Sequence, residues 1–136
     1  MFVYLIYQVQ RGGAVQMNIG IIAHRAKKDL IQDFSIAYKK LFEKHQIIAL
    51  GNTGRWIEEA TKLPVIKLLP GDVGGDKQMI AQIQRQELDL VIFFYNPNLS
   101  QATDTDVTEI TRLCDTYNIP IATNIGTAEA LVLNML

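Results

Sequence analysis

The chain has no excess of either charge, and it has few cysteines and histidines. Each of these shortages argues against a class of protein. Its 13 basic and 14 acidic side chains nearly cancel, so no overall field would hold it on nucleic acid or an anionic membrane. The single cysteine, Cys114, has no partner for an internal disulfide. With no export signal apparent, this predicts a reducing, cytoplasmic location, with Cys114 buried in its apolar-periodic segment. The two histidines are far apart and no nucleophile elbow is present, so neither a metal site nor a hydrolytic triad is indicated.

Long apolar runs are also missing, and the apolar stretch at the start of the chain has two readings. Met1–Val9 is too short to span a bilayer and has no basic leader, so it is neither a membrane helix nor a typical signal peptide. Gly12-Gly13 can be encoded by a ribosome-binding sequence, which would make Met17 the native start and the residues before it a translated leader. The alternative is an added edge strand at Phe2–Val9, because its residues are β-branched and aromatic.

After an extension over residues 1–16, residues 17–136 alternate short apolar runs with longer amphipathic segments. This alternation is typical of one domain with a parallel sheet and crossover helices, and 49% hydrophobic residues are enough to fill its core. The predicted strands are Asn18–Ala23, Ile47–Leu50, Val65–Leu68, Leu88–Tyr95 and Pro120–Ala122. The predicted helices are Lys28–Lys44, Gly54–Thr61, Asp76–Gln86, Asp106–Tyr117 and Thr127–Asn134. We therefore predict an α/β fold, a single-domain three-layer sandwich with a mostly parallel, about five-stranded central sheet, whose middle strand is the doubly apolar Leu88–Tyr95.

Sheets of this kind bind ligands at the carboxyl ends of their strands, where helix N-termini present unpaired N–H groups. Gly51-Asn52-Thr53-Gly54 lies at such an end, and its glycines permit a tight turn that leaves N–H groups and a hydroxyl facing an anion. The segment is compatible with a phosphate cradle and also with ordinary helix capping. The chain has no full GxGxxG fingerprint and no Walker lysine here, so sites for a dinucleotide or a nucleoside triphosphate are not supported.

A second loop, Gly71–Gln78, combines three glycines with a carboxylate, Asp76, at the point where a helix resumes. Such a loop lets backbone approach a ligand closely, although Asp76 is also explained as a plain helix N-cap. His24 ends the first strand, where an imidazole could polarise a substrate oxygen. Lys28 follows, either paired with phosphate or solvated in the first turn of a helix. A phosphorelay receiver is excluded, since it needs acidic residues where Arg25 stands.

Taken in order along the chain, these loops resemble the methylglyoxal synthase family. The resemblance runs from Met17 to about Leu133, and five segments carry it: Ile22-Ala23-His24, Ala49–Gly54, Gly71–Gln78, Phe93-Phe94 with Pro97, and Asn118–Ala128. It implies an enzyme that converts dihydroxyacetone phosphate to methylglyoxal and inorganic phosphate. It also implies that no metal or organic cofactor takes part, and that the protein is a homo-oligomer, commonly a hexamer.

The resemblance also implies roles for individual residues. Asp76 matches the catalytic base, His24 a histidine beside the substrate oxygens, and Asp106 an acidic residue close to the base. From its position alone, Asp106 is explained by the helix macrodipole, because it starts a predicted helix. The phosphate-binding residues that the resemblance implies are Lys28, Gly51, Asn52, Thr53, Gly54, Gly71 and Gly75.

The chain departs from the family at several polar positions. Arg25 replaces an aspartate, Asn96 a carboxylate and Thr103 a histidine. Leu50 replaces a threonine, and Pro70 replaces a serine and so loses both a hydroxyl and an N–H donor. The departures favour an alternative, a non-catalytic MGS-like domain that binds a small phosphorylated metabolite, whereas the retained base, histidine and glycines favour the lyase.

Overall fold

A computed structural model of the protein describes residues 16–98 and 107–136. Over these ranges, five parallel strands form one sheet in the order β3-β2-β1-β4-β5. They are β1 (Asn18–Ala23), β2 (Gln46–Ala49), β3 (Val65–Lys67), β4 (Leu90–Phe94) and β5 (Ile121–Ala122). The predicted α/β fold is confirmed. The two readings of Phe2–Val9 lie outside the described residues.

The sheet differs from the prediction in its middle strand. β1 occupies the centre, and β4 lies between β1 and β5. All five residues of β4 are buried, because helices cover both faces of any interior strand. A run that is apolar on both faces therefore indicates an interior strand without saying which one is central.

Six helices accompany the strands within the described ranges. They are α1 (Lys28–Ala37), α2 (Lys39–Phe42), α3 (Gly51–Thr61), α4 (Gly75–Gln84), α5 (Val107–Thr116) and α6 (Ile125–Met135). The single helix predicted over Lys28–Lys44 is wrong, because the backbone leaves helical geometry at Tyr38, with φ −108° and ψ 19°. The prediction that a helix starts at Gly54 is also wrong, since α3 begins three residues earlier at Gly51.

Two hydrophobic cores lie on opposite faces of the sheet. α1, α2, α3 and α6 cover one face, with Phe34, Trp56 and Val132 in its core. α4 and α5 cover the other, where Met79 and Cys114 are fully buried. The predicted burial of Cys114 is confirmed, and burial raises the pKa of its thiol to about 12. None of the described helices is long and apolar enough to cross a bilayer.

The winding of the chain sets where a ligand can bind. It runs from β1 through β2 to β3, then returns to β4 on the other side of β1. The strand order thus reverses between β1 and β4, and ligands of open α/β sheets bind outside the carboxyl ends of the strands at such a point. Right-handed crossovers put α4 and α5 on the face opposite to the helices formed earlier in the chain.

Candidate active site

His24 lies at the reversal point, directly after β1. Its backbone N–H donates to the carbonyl oxygen of Phe94, the last residue of β4, over 2.9 Å. Its Nδ1 accepts a hydrogen bond from the N–H of Ala26 over 3.0 Å. In the neutral ring the proton is therefore on Nε2, so Nε2–H is the donor that the half-buried imidazole can present.

The segment Gly51-Asn52-Thr53-Gly54 forms the first turn of α3 instead of a loop before it. Gly54 is the first residue whose N–H reaches back along the helix, to Leu50 over 2.8 Å. Leu50 occupies the N-cap position and has no side-chain oxygen to cap the turn. The N–H groups of Asn52 and Thr53 therefore have no acceptor among the described residues, and such a turn is a ready anion site.

The Thr53 side chain faces the protein interior. Its Oγ1 accepts from the Ala23 N–H over 3.0 Å and donates to the Ala23 carbonyl over 3.3 Å. Only 2% of the residue is exposed. The prediction that the Thr53 hydroxyl faces an anion is therefore wrong, because the hydroxyl bonds the backbone of β1. The backbone N–H is the group of Thr53 that is left for a ligand.

The loop after β3 packs against both helix starts. A Cβ on Gly51 would lie 3.2 Å from the Leu68 carbonyl oxygen and 3.3 Å from the Pro70 ring. A Cβ on Gly75 would lie 1.7 Å from the Leu69 carbonyl oxygen, a distance that no side chain can adopt. The first turns of α3 and α4 are therefore held against one short stretch of backbone.

Asp76 is the second residue of α4. The N-cap position belongs to Gly74, whose φ of 110° is left-handed, so the reading of Asp76 as a plain N-cap is wrong. The Asp76 Oδ1 accepts only from the Lys77 N–H, over 2.8 Å, among the described residues. The half-buried carboxylate is thus left with further acceptor capacity, next to the packing of Gly75 on the Leu69 carbonyl.

Two exposed cations lie near the His24 end of the site. Lys28 is the first residue of α1, and Arg25 begins the short 3-10 helix Arg25–Lys27. Neither makes an ion pair with another residue of the described ranges. Both follow the carboxyl end of β1, at the rim of the sheet where the first turn of α3 also lies.

The chain after β4 also lies at this rim of the sheet, because β4 is parallel to β1 and next to it. Asn96 follows this strand, and its Oδ1 accepts from the Asn98 N–H over 3.0 Å, which closes a local turn. Asp106 and Thr103 lie outside the described residues. No cluster of His, Cys, Asp or Glu suited to a metal ion is found in the part of the chain that the structure describes.

Sequence reasoning missed one supporting residue, Gln78. Its Oε1 accepts from the Leu69 N–H over 2.8 Å and so fixes the loop against which Gly75 packs. Gln78 lies within the predicted loop segment. Its place in the first turn of a helix was the sequence feature that could have indicated a hydrogen-bonding role for its side chain. The prediction of that helix from Asp76 included Gln78 but gave no role to its side chain.

Comparison with known proteins identifies the family. The family model described as the MGS-like domain matches residues 31–123. A methylglyoxal synthase of Listeria welshimeri is 53% identical over 116 residues, which cover 85% of this chain and 87% of the relative. One of a Thermoanaerobacter species is 50% identical and covers 88% and 90%. The crystal structure of a methylglyoxal synthase from Elizabethkingia anophelis matches with a TM-score of 0.82 at 35% identity, covering 86% of this chain and 77% of that one. The chain therefore belongs to the methylglyoxal synthase family.

Proposed function

We propose that this protein is a methylglyoxal synthase, a lyase that converts dihydroxyacetone phosphate to methylglyoxal and inorganic phosphate. The observation that carries the proposal is the packing of two helix starts on the backbone at Leu69 and Pro70. One start, that of α3, has unpaired N–H groups for phosphate, and the other presents the Asp76 carboxylate. Relatives of about half identical sequence that are named for this activity support the same function.

Phosphate binds, in this proposal, to the first turn of α3. The N–H groups of Asn52 and Thr53 have no acceptor among the described residues, whereas that of Gly51 lies 3.5 Å from the Leu69 carbonyl oxygen. The macrodipole of the helix favours an anion at this turn. Gly54 lets the turn pack closely, since a Cβ there would lie 2.6 Å from the Lys67 side chain. The Lys28 ammonium adds a charge-assisted hydrogen bond.

Gly71 completes the proposed phosphate site from the loop after β3, and Gly75 packs against that loop. Pro70 contributes no N–H, and its carbonyl oxygen accepts from the N–H groups of Val73 and Gly75. This turn holds the loop that leads to Asp76. The backbone of Gly71, at the start of the turn, is the part of the loop that we assign to phosphate.

The chemistry is an enolisation followed by an elimination. Asp76 takes a proton from the hydroxyl-bearing carbon beside the ketone, and the carbonyl becomes an ene-diolate. The Nε2–H of His24 donates to the oxygen on which charge develops. The hydroxyl then gives its proton to the departing phosphate and becomes the aldehyde carbonyl, a carbon–carbon double bond forms toward the phosphate-bearing carbon, and the carbon–oxygen bond to phosphate breaks. The enolate that remains takes the proton back from Asp76 at its terminal carbon and becomes methylglyoxal. Asp106 is proposed to assist the base, as the family resemblance implies.

The test is an assay for methylglyoxal on the purified protein and on Asp76→Asn. The variant is expected to lose about 10² to 10⁴-fold in kcat, because a general base is worth that much, while phosphate still binds. Asp72→Asn is the matched control, since Asp72 is an exposed carboxylate of the same loop, and it is expected to keep wild-type activity. A wild-type protein that forms no methylglyoxal would contradict the proposal.

A second candidate function is a non-catalytic module that binds a phosphorylated metabolite. It is favoured by Pro70, which has no N–H for a ligand, and by Asn96, whose side-chain oxygen is used in a local turn. Such a module would bind phosphoglycolate equally well in the wild type and in Asp76→Asn, and neither protein would release phosphate from dihydroxyacetone phosphate.

The proposal includes a homo-oligomer, by family resemblance a hexamer, in the cytoplasm. An apolar patch on and after the edge strand β3 supports assembly, since Ile66, Leu69 and Val73 are exposed by 45%, 50% and 61%. The free thiol of Cys114 is consistent with a reducing compartment. Light scattering behind a sizing column tests the assembly, and a monomer at every concentration would contradict it.

A further inference from the structure

We propose that the Thr53 hydroxyl is a positioning group that holds His24 at a fixed distance from the phosphate site, and that it does not bind phosphate itself. The proposal rests on the proposed function for its kinetic consequence. Its structural part concerns the end of β1 and stands on the contacts of one buried hydroxyl with both polar backbone groups of Ala23.

Ala23 needs such a partner because β2 ends too early. β1 pairs with β2 only as far as Ile21, which lies opposite Ala49. On its other side β1 pairs with β4 through Ala23 opposite Phe94. The N–H and carbonyl of Ala23 point to the β2 side, since the N–H of His24 points to β4 and successive residues of a strand alternate. The chain that would continue β2 has already turned into α3.

Thr53 fills the place of the missing strand. Its Oγ1 lies 3.0 Å from the Ala23 nitrogen and 3.3 Å from the Ala23 oxygen. Both residues are buried, Ala23 at 8% exposure and Thr53 at 2%, so water does not reach these backbone groups. Without the hydroxyl, two buried polar groups at the end of a central strand would have no partner.

The hydrogen-bonding capacity of a hydroxyl excludes a second role on phosphate. A threonine hydroxyl has one proton to donate, and here that proton is directed to the Ala23 carbonyl. A phosphate oxygen needs a donor. The hydroxyl therefore has none left for the ligand, and the backbone N–H of Thr53 is the group that faces the anion.

The consequence for catalysis is geometric. Thr53 belongs to the turn that holds phosphate, and Ala23 directly precedes His24, whose own N–H is fixed on Phe94. The substrate phosphate would thus meet the turn that contains Thr53, and the substrate carbonyl would meet His24. The Thr53 hydroxyl links these two parts of the protein through Ala23. A misplacement of about 1 Å between such groups costs about 10²-fold in rate.

The experiment compares Thr53→Val, which removes the hydroxyl at nearly constant volume, with Thr53→Ser, which keeps it. Thr53→Val is expected to lower kcat by about 10 to 100-fold, while the Kd for inorganic phosphate stays within about twofold because the N–H is unchanged. Thr53→Ser is expected to keep most of the wild-type kcat.

Thr61→Val is the matched control for a lost buried hydroxyl. Thr61 lies at the other end of α3, is also 2% exposed, and its Oγ1 bonds the Ile57 carbonyl and the Leu63 N–H. It is expected to lose stability with little change in kcat. If Thr53→Val raised the Kd for phosphate about tenfold with kcat unchanged, or changed neither constant, the positioning role would be overturned.

The ring signals of His24 in an NMR spectrum separate this proposal from the proposed function. They are expected to move in Thr53→Val and to stay in place in Thr61→Val and Thr53→Ser, with no substrate present. Unmoved signals in Thr53→Val would overturn the proposal even if the wild type proved inactive. If Thr53→Val does not fold, Thr53→Ser tests the proposal alone. A loss of kcat in Thr53→Ser as large as that expected of Thr53→Val would overturn the proposal, because the serine keeps the hydroxyl.

Discussion

At the scale of single residues, the glycines of the site differ in what they make possible. Gly75 has no room for a side chain, because a Cβ would lie 1.7 Å from the Leu69 carbonyl oxygen and 2.9 Å from that of Pro70. Gly74 is required by its backbone, since its φ of 110° is strained for any other residue. The loop that leads to Asp76 therefore depends on two adjacent glycines for different reasons.

Gly75→Ala is expected to destabilise the fold by at least about 2 kcal/mol, because the loop and the start of α4 must separate. Urea unfolding measures the change. Gly126→Ala is the control, since a Cβ there meets only the Asn124 side chain at 3.4 Å, and in helix α6 it should be neutral or stabilising by up to about 1 kcal/mol. Equal stability of Gly75→Ala and the wild type would contradict the clash.

At the scale of elements, the start of β1 depends on a titratable side chain from the turn before β2. The His45 Nδ1 accepts a hydrogen bond from the Met17 N–H over 2.9 Å. Protonation would place a second N–H opposite this donor. Burial lowers the pKa of His45 below its ordinary 6.5, Lys44 lowers it further, and Asp89 opposes the shift.

The stability of the protein should therefore fall in mild acid. Because the pKa of His45 is lower in the folded protein than in the unfolded chain, its contribution is fully present above pH 6.5 and is lost as the pH falls below that value. Urea unfolding between about pH 7.5 and about pH 5.5 measures this. His45→Asn keeps a hydrogen-bond acceptor that does not titrate, so the free energy of unfolding should depend less on pH in this variant. An unchanged pH dependence would contradict the role given to His45.

At the scale of the whole molecule, the proposed site joins turns that follow three different strands. The turns after β1, β2 and β3 each supply part of the proposed phosphate site, so phosphate should bind the folded protein and not the unfolded chain. Any such ligand raises the apparent stability, by about 2.7 kcal/mol at a hundredfold excess over Kd.

We expect inorganic phosphate to raise the Tm of the wild type, and to raise it less in Lys28→Gln. A charge-assisted bond lost with Lys28 should weaken phosphate binding by about 1 to 2 kcal/mol. Lys39→Gln is the control, because this exposed lysine lies beyond the far end of α1. Equal shifts in all three proteins would remove Lys28 from the site.

Much of the fold was predictable because it depends on residues close in sequence. β1 was predicted with its observed bounds from an apolar run, and the buried Cys114 from the period of its helix. Helix ends were less predictable, since Gly51 and Asn52 favour a turn as readily as the first turn of a helix. Their helical state follows from packing against Leu68 and Pro70, which are distant in sequence.

The sequence by itself determined the number of strands, their order along the chain and the parallel sheet, because hydrophobic period and turn chemistry act over a few residues. Only the tertiary structure decided that β1 is central, that Gly74 and not Asp76 caps α4, and that the Thr53 hydroxyl bonds Ala23 thirty positions earlier. Those outcomes depend on contacts between segments distant in sequence. The Thr53 hydroxyl, for example, meets buried backbone groups of Ala23 that lack a strand partner once the strands have paired. That shortage exists only in the folded chain.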